Sequence, residues 1–154
     1  MSKSFAEEKV WLSGVLTREI PLGGAMGLSI VRLDERGIAF DLPLEPNIND
    51  KGTAFGGAMS SAMLLAGWAL PRLLLKREGI DADLVIGRCE MRFLVPVKTS
   101  FSVVCDWPSD EACAQFLDEL DRNGKGRLAM EPRVDVDKEV AATLSARYAA
   151  LKRA

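Results

Sequence analysis

Asn49, Asp50 and Thr53 stand just ahead of a glycine pair, Gly56-Gly57, in the stretch Asn47-Ile48-Asn49-Asp50-Lys51-Gly52-Thr53-Ala54-Phe55-Gly56-Gly57. A long apolar segment begins at that pair, so the glycines are expected at the first turn of a helix. Helix starts carry backbone N–H groups without intrahelical partners and the positive end of the helix dipole. Two glycines there remove the side chains that would screen those donors. The arrangement suits a carbonyl oxygen that must become negative during a reaction.

The side chains around it have two readings each. Asn49 could orient a carbonyl or a water through its amide, or cap its own loop as asparagines do in turns. Asn47 has the same ambiguity. Asp50 could be a base or a solvated loop carboxylate. Ser60 and Ser61 are the only hydroxyls on the apolar segment. They could face a ligand, or bond to the carbonyl one turn back. Met59 and Met63 read as core or as the lining of an apolar tunnel.

Histidine is absent from the chain. That excludes Ser-His-Asp and Cys-His nucleophilic machinery and histidine-based metal sites. The three cysteines, Cys89, Cys105 and Cys113, lack metal-ligand spacing and sit in apolar patterns, which suits free thiols packed in the core. No metal and no cofactor is expected. Chemistry must come from backbone dipoles, amides, carboxylates, hydroxyls or lysine.

The elements that must hold these residues are legible from periodicity. The chain has 154 residues, 48% of them apolar, which suits one compact domain over 1–154. Ser4 and Glu7 make a capping box before the stripe Val10, Trp11, Val15, Leu16, so a first helix is expected over 1–20, ended by Pro21. Met26 to Leu33 and Ile38 to Leu42 read as a hairpin through Asp34-Glu35-Arg36-Gly37. The segment from Gly56 to about Arg77 is apolar on nearly every side and must be wrapped by other structure. Pro71 predicts a kink or break near Leu70.

Leu84 to Val95 alternates, with Val85, Cys89, Met91, Phe93 and Val95 on one side and Arg88, Glu90 and Arg92 on the other. Phe101, Val103, Cys105 and Trp107 form a further apolar face. Ser109 starts a short inserted helix over 109–123 that ends at Asn123-Gly124. Strands from about Arg127 to Val136 and Val140 to Leu151 finish the chain. This order predicts an α+β fold, an antiparallel sheet wrapped round one long helix.

The residues Ile20-Pro21-Leu22, Met26-Gly27-Leu28, Pro43-Leu44 with Pro46-Asn47, Asn49 to Gly57 and Gly67-Trp68 resemble the YiiD C-terminal-type thioesterases. More widely, the order of elements and the Asn…Gly-Gly helix start resemble the hot-dog fold of acyl-CoA and acyl-carrier-protein thioesterases. The resemblance covers about Ile20 to Val104. It implies that Asn49 and the Gly56 N–H polarise a thioester carbonyl; beside them, the loop itself offers Gly57 and Asp50 as further catalytic candidates and Asn47, Thr53 and Phe55 as substrate contacts. Many relatives carry histidine at the position of Phe55, and aspartate or glutamate at that of Leu64. Both usual sources of a base are therefore missing here.

Three classes of function follow. An acyl-thioester enzyme could hydrolyse its substrate, or decarboxylate a malonyl thioester, a reaction that needs no general base and that some relatives of this family look suited to. A binding module could hold an acyl thioester without turnover. A purely structural domain explains the Asn-Asp-Lys-Gly loop least well. Arg88 and Arg92, or Arg72, Lys76 and Arg77, are solvated faces or a dock for coenzyme A phosphates or an acidic carrier protein. Net charge −2 and pI about 5.3 offer no general attraction to nucleic acid. The acidic N-terminal stretch lacks the apolar run of a signal peptide, and the long apolar segment is interrupted by serines, Pro71 and Arg72, so a cytoplasmic location without membrane insertion is expected. An open sheet leaves an edge, with Leu84 to Val95 the candidate, so a homodimer or dimer of dimers is expected, as the hot-dog resemblance also implies.

Overall fold

The computed structural model describes residues 2–153. Helix α1 (Ser2–Gly14) runs on through a π-helical turn, Val15–Glu19, and buries Leu12 and Leu16. Ser4 lies within its first turns rather than capping it, because the helix already starts at Ser2. Ile20 breaks the helical run, and Pro21 opens a short helix, α2 (Pro21–Ala25), that the sequence reading missed. Proline's fixed φ and missing N–H suit a helix start as well as a stop. Strand β1 (Ser29–Leu33) consequently begins later than Met26. It pairs with β2 (Gly37–Leu42) through the turn foreseen at Asp34, whose Oδ1 accepts from the Arg36 and Gly37 N–H groups.

Helix α3 (Gly56–Arg77) is the central element, 22 residues long. It is apolar and long enough to cross a membrane, yet much of it is sheathed here by the sheet. Of the kink or break expected near Leu70 there is no break: the helix runs on through Pro71. An interior proline costs roughly 3 kcal/mol. Burying Leu70, Leu73 and Leu75, each fully enclosed, contributes about 1.5–3 kcal/mol apiece, so packing outweighs the lost hydrogen bond.

The sheet is completed by β3 (Ala82–Phe93), β4 (Phe101–Asp106), β5 (Lys125–Met130), β6 (Arg133–Val136) and β7 (Glu139–Lys152). Its order is β1-β2-β4-β6-β7-β3, with β5 also paired to β7 and every pairing antiparallel. The expected single strand from Arg127 to Val136 is two collinear strands on β7, interrupted at Glu131-Pro132, where proline has no ladder donor. Helix α4 (Asp110–Asn123) has the Ser109 side chain as its N-cap and left-handed Gly124 as its stop. This is an α+β hot-dog fold: a curved antiparallel sheet around one long helix, with β1 and β3 at the ends of the strand order and β5 bonded to β7 alone.

Candidate active site

Three nested closures bring the loop to the helix start. The Phe55 N–H donates to the Asn47 carbonyl at 2.7 Å, Ile48 bridges Ala54, and the Asn49 N–H donates to the Thr53 carbonyl at 2.8 Å. The innermost turn is organised by Asn49 itself. Its Oδ1 accepts from the N–H groups of Lys51 (2.8 Å) and Thr53 (3.0 Å), and its Nδ2 donates to Thr53 Oγ1 at 2.8 Å. One Nδ2 hydrogen is left over. The loop-capping reading of Asn49 is therefore realised, and any part in chemistry rests on that last amide hydrogen.

Asn47 is buried to 3% exposure. Its Nδ2 donates to the carbonyls of Met26 (2.9 Å) and Pro43 (2.8 Å), stitching the loop to the approach to β1. That makes it a clamp beneath the loop. Asp50 points into solvent beside Lys51 Nζ, 3.2 Å away. Thr53 serves the loop closure already described.

Helix α3 then begins with Phe55 as N-cap, without a side-chain cap. The Ala58 and Met59 N–H groups bond back to the Phe55 carbonyl, while those of Gly56 and Gly57 have no protein acceptor among the described residues. Neither glycine has positive φ. A Cβ on Gly56 would meet only the Phe93 ring, at ordinary contact distances of 3.6 and 3.7 Å. Nothing in the backbone or the packing of one chain demands a glycine there. On Gly57 a Cβ would strike the Phe55 ring, which lies over it. The result is two adjacent, uncovered amide donors between two aromatic rings, Phe55 and Phe93. Phe93 is a site residue that sequence reasoning left unassigned, although its alternation had placed it on the same face as Met91.

From Gly57 one helix face continues through Ser61, Leu64 and Trp68. Beside it lies an apolar groove of about 260 Å³, walled by Ile20 and Leu22 on one side and Ile86 and Tyr148 on the other. Ser60 and Ser61 do not reach into it as ligands. Their hydroxyls donate to the carbonyls of Gly56 (2.7 Å) and Gly57 (2.9 Å), the one-turn-back bond. Tyr148, missed in the sequence, closes the groove: its hydroxyl donates to the Leu64 carbonyl at 2.7 Å, and burial pushes its ionisation well up. No carboxylate lines the groove among the described residues.

The arginines lie elsewhere. A bulge between Ile86 and Arg88 shifts the register of β3. Val85 therefore falls on the outer side and Ile86 on the helix side, correcting the simple alternation, because the extra residue inverts the phase. Arg88 and Arg92 project from the outer face of the sheet, on the side opposite α3. Arg72 and Lys76 stack on Trp11, and Arg77 holds Glu8 through two bonds of 2.7 and 2.9 Å. This second cluster fastens α1 to α3. Of the three thiols expected in the core, Cys105 is enclosed there, and burial pushes it up to about 12, which leaves it unreactive, whereas Cys89 on the edge strand β3 is exposed and Cys113 half-buried.

Solved structures share this architecture. A protein of unknown function from Chlorobaculum tepidum TLS is 29% identical, with a TM-score of 0.86 over 99% of this chain and 96% of that one. The putative thioesterase from Shewanella oneidensis is 25% identical, with a TM-score of 0.84 over 95% and 99%. A thioesterase from Haemophilus influenzae, 11% identical with a TM-score of 0.65 over 84% and 81%, shares the fold. A search of curated proteins finds no match. With residues 10–152 matched, the chain belongs to the family described as Putative thioesterase (yiiD_Cterm).

Proposed function

We propose that this protein is an enzyme of acyl thioesters that holds the substrate carbonyl oxygen on the Gly56 and Gly57 N–H groups and lays the acyl chain along α3. The observation that carries this reading is that the apolar groove along Ser61, Leu64 and Trp68 starts one helical turn beyond the two amides that lack a protein acceptor. In hydrolysis a water attacks the carbonyl carbon, the oxygen becomes an oxyanion held by those donors, and the thiol departs with a proton. A helix-start pair of this kind stabilises such an oxygen by about 3 kcal/mol per donor. The remaining Asn49 amide hydrogen is the third donor in this reading.

Decarboxylation of a malonyl thioester is favoured by one observation: the groove carries Leu64 and no carboxylate, and Asp50 is solvated beside Lys51. Carbon dioxide leaves with cleavage of its C–C bond, the bonding pair forms an enolate, and the same donors hold the enolate oxygen. A proton from water on carbon then gives the acetyl thioester. No general base on the protein is needed.

Mass spectrometry of products from malonyl and medium-chain acyl thioesters separates the two. Free acid plus thiol supports hydrolysis, and an acetyl thioester supports decarboxylation. Unchanged substrate in every coenzyme A and carrier-protein form removes both. Asn49→Asp sharpens the test of the site. Aspartate keeps the acceptor that organises the loop, and the Thr53 hydroxyl can turn to donate to it. The loop should persist, with melting within a few degrees of the parent, while kcat falls about a hundredfold through loss of the donor. Full activity in that variant would confine Asn49 to a loop role.

A further inference from the structure

The outer face of β5, β7 and β3 is open, because α3 and α4 both lie on the inner side: α4 packs at buried Gly126, whose added Cβ would meet Phe116 and Leu120. On the open side the strands present Lys125 and Arg127 from β5, Arg147 from β7, and Arg88 and Arg92 from β3, all exposed. Two acids share that side of β3: Glu90, 3.8 Å from Arg92, and Asp83, which is taken up by Arg153 at 2.6 Å. Among the described residues, Arg88, Arg127 and Arg147 make no ion pair, nor do Arg18 and Arg72 (the latter stacked on Trp11), whereas Arg32, Arg36, Arg77, Arg92, Arg122, Arg133 and Arg153 do. A chain of net charge −2 has thus gathered unpaired cations on one face.

Two features make this more than a solvated surface. Arg88 and Arg147 are directly opposite in register, an arrangement in which like charges destabilise a sheet. The β3 bulge at Gly87 creates that pairing: in unbroken alternation from Val85, Arg88 would point inward. Bulges re-aim side chains in this way beside functional surfaces. Between the cations the side chains are small, Ala129 and Ser145, and leave a shallow depression of about 340 Å³.

We propose that this arginine face docks an acidic carrier protein that presents the acyl thioester to the Gly56 end of α3. The inference rests on the acyl-thioester reading above. Arg88 to Arg92 spans about 13 Å along β3, and three strands span about 10 Å across. That area matches the width of a carboxylate-bearing helix and exceeds what one phosphate group engages. The face adjoins the site at the end of β3, where Arg92 on the outer side is followed by Phe93 against Gly56. An arm carrying the thioester has only to pass that end of the strand. A second copy of this chain meeting it face to face would set cations against cations.

The test uses the exposed variant Arg127→Glu/Arg147→Glu in the full chain, with its melting temperature checked against the parent. Fluorescence anisotropy with a labelled, unacylated acidic acyl carrier protein reads docking without turnover. Dissociation constants should rise at least tenfold in the variant and climb steeply with salt in the parent, while Arg147→Lys stays close to the parent. In turnover, KM for carrier-borne substrate should rise with kcat retained, and the coenzyme A thioester should be processed as by the parent. Equal carrier binding by parent and variant overturns the proposal. So does an equal loss on the coenzyme A thioester, which would assign the face to coenzyme A phosphates. Docking lost in the variant without turnover of any thioester would uphold the carrier surface and remove the catalytic reading. Turnover of coenzyme A thioesters without carrier docking would do the reverse.

Discussion

Gly56 is where backbone chemistry and side-chain economy meet. Its N–H is uncovered, its φ is ordinary, and a Cβ would rest against the Phe93 ring without a clash. A glycine in a helix gives up stability of about 0.5–1 kcal/mol relative to alanine, so something other than folding has to favour it. Gly56→Ala should therefore melt at the parent temperature or a few degrees higher. Its kcat/KM should nonetheless fall about tenfold or more, since the methyl group stands where a substrate carbonyl must approach. Calorimetry and steady-state kinetics on one preparation check both halves, and unchanged kinetics would remove the oxyanion reading. Asn49 differs in kind: its Oδ1 is consumed by two backbone N–H groups, so truncation to alanine mixes loop damage with chemistry.

Helix α3 shows how the elements lock that geometry in place. Gly67 is packed so tightly against β7 that a Cβ would lie 2.6 Å from the Tyr148 hydroxyl and 3.1 Å from Pro132. Gly67→Ala should destabilise by about 1–3 kcal/mol, read as a lower urea midpoint with unchanged m-value. Tyr148 could otherwise move only by giving up its 2.7 Å bond to the Leu64 carbonyl. The helix itself was legible because burial on all sides writes an unbroken apolar run, and its start was legible because two glycines open it. The turn at Asp34 and the ends of α4 were legible for the same reason: local side-chain bonds and a left-handed glycine specify them. What escaped the sequence was non-local. Tyr148 and Phe93 reach the site only through sheet register, and the Gly87 bulge inverts a phase that alternation alone reads straight through. Asn47 and Asn49 are indistinguishable in composition. One is buried beneath the loop and the other closes it, a difference set by the carbonyl of Met26, 21 residues away, together with that of nearby Pro43.

At the scale of the whole molecule the sheet ends in an exposed strand. β3 is 12 residues long and bonded on one side only, to β7. Ile86, Phe93 and Leu94 beside it are 42%, 52% and 55% exposed, and Phe55 at the helix start is 56% exposed. Long apolar edges of this sort template pairing with another strand, and the exposed rings flank the very donors assigned to the substrate. We expect a second copy to pair along β3, which would bury these side chains, exclude water from the oxyanion and complete the wall of the groove. Light scattering after gel filtration should give twice the 16.8 kDa of one chain. Ile86→Asp supplies the decisive comparison. In an isolated chain that side chain is half in water, so the substitution should leave folding intact, whereas in a paired edge it buries a charge without a partner and should halve the mass. A parent that stays monomeric at all concentrations and still turns over substrate would show that one chain closes its own site.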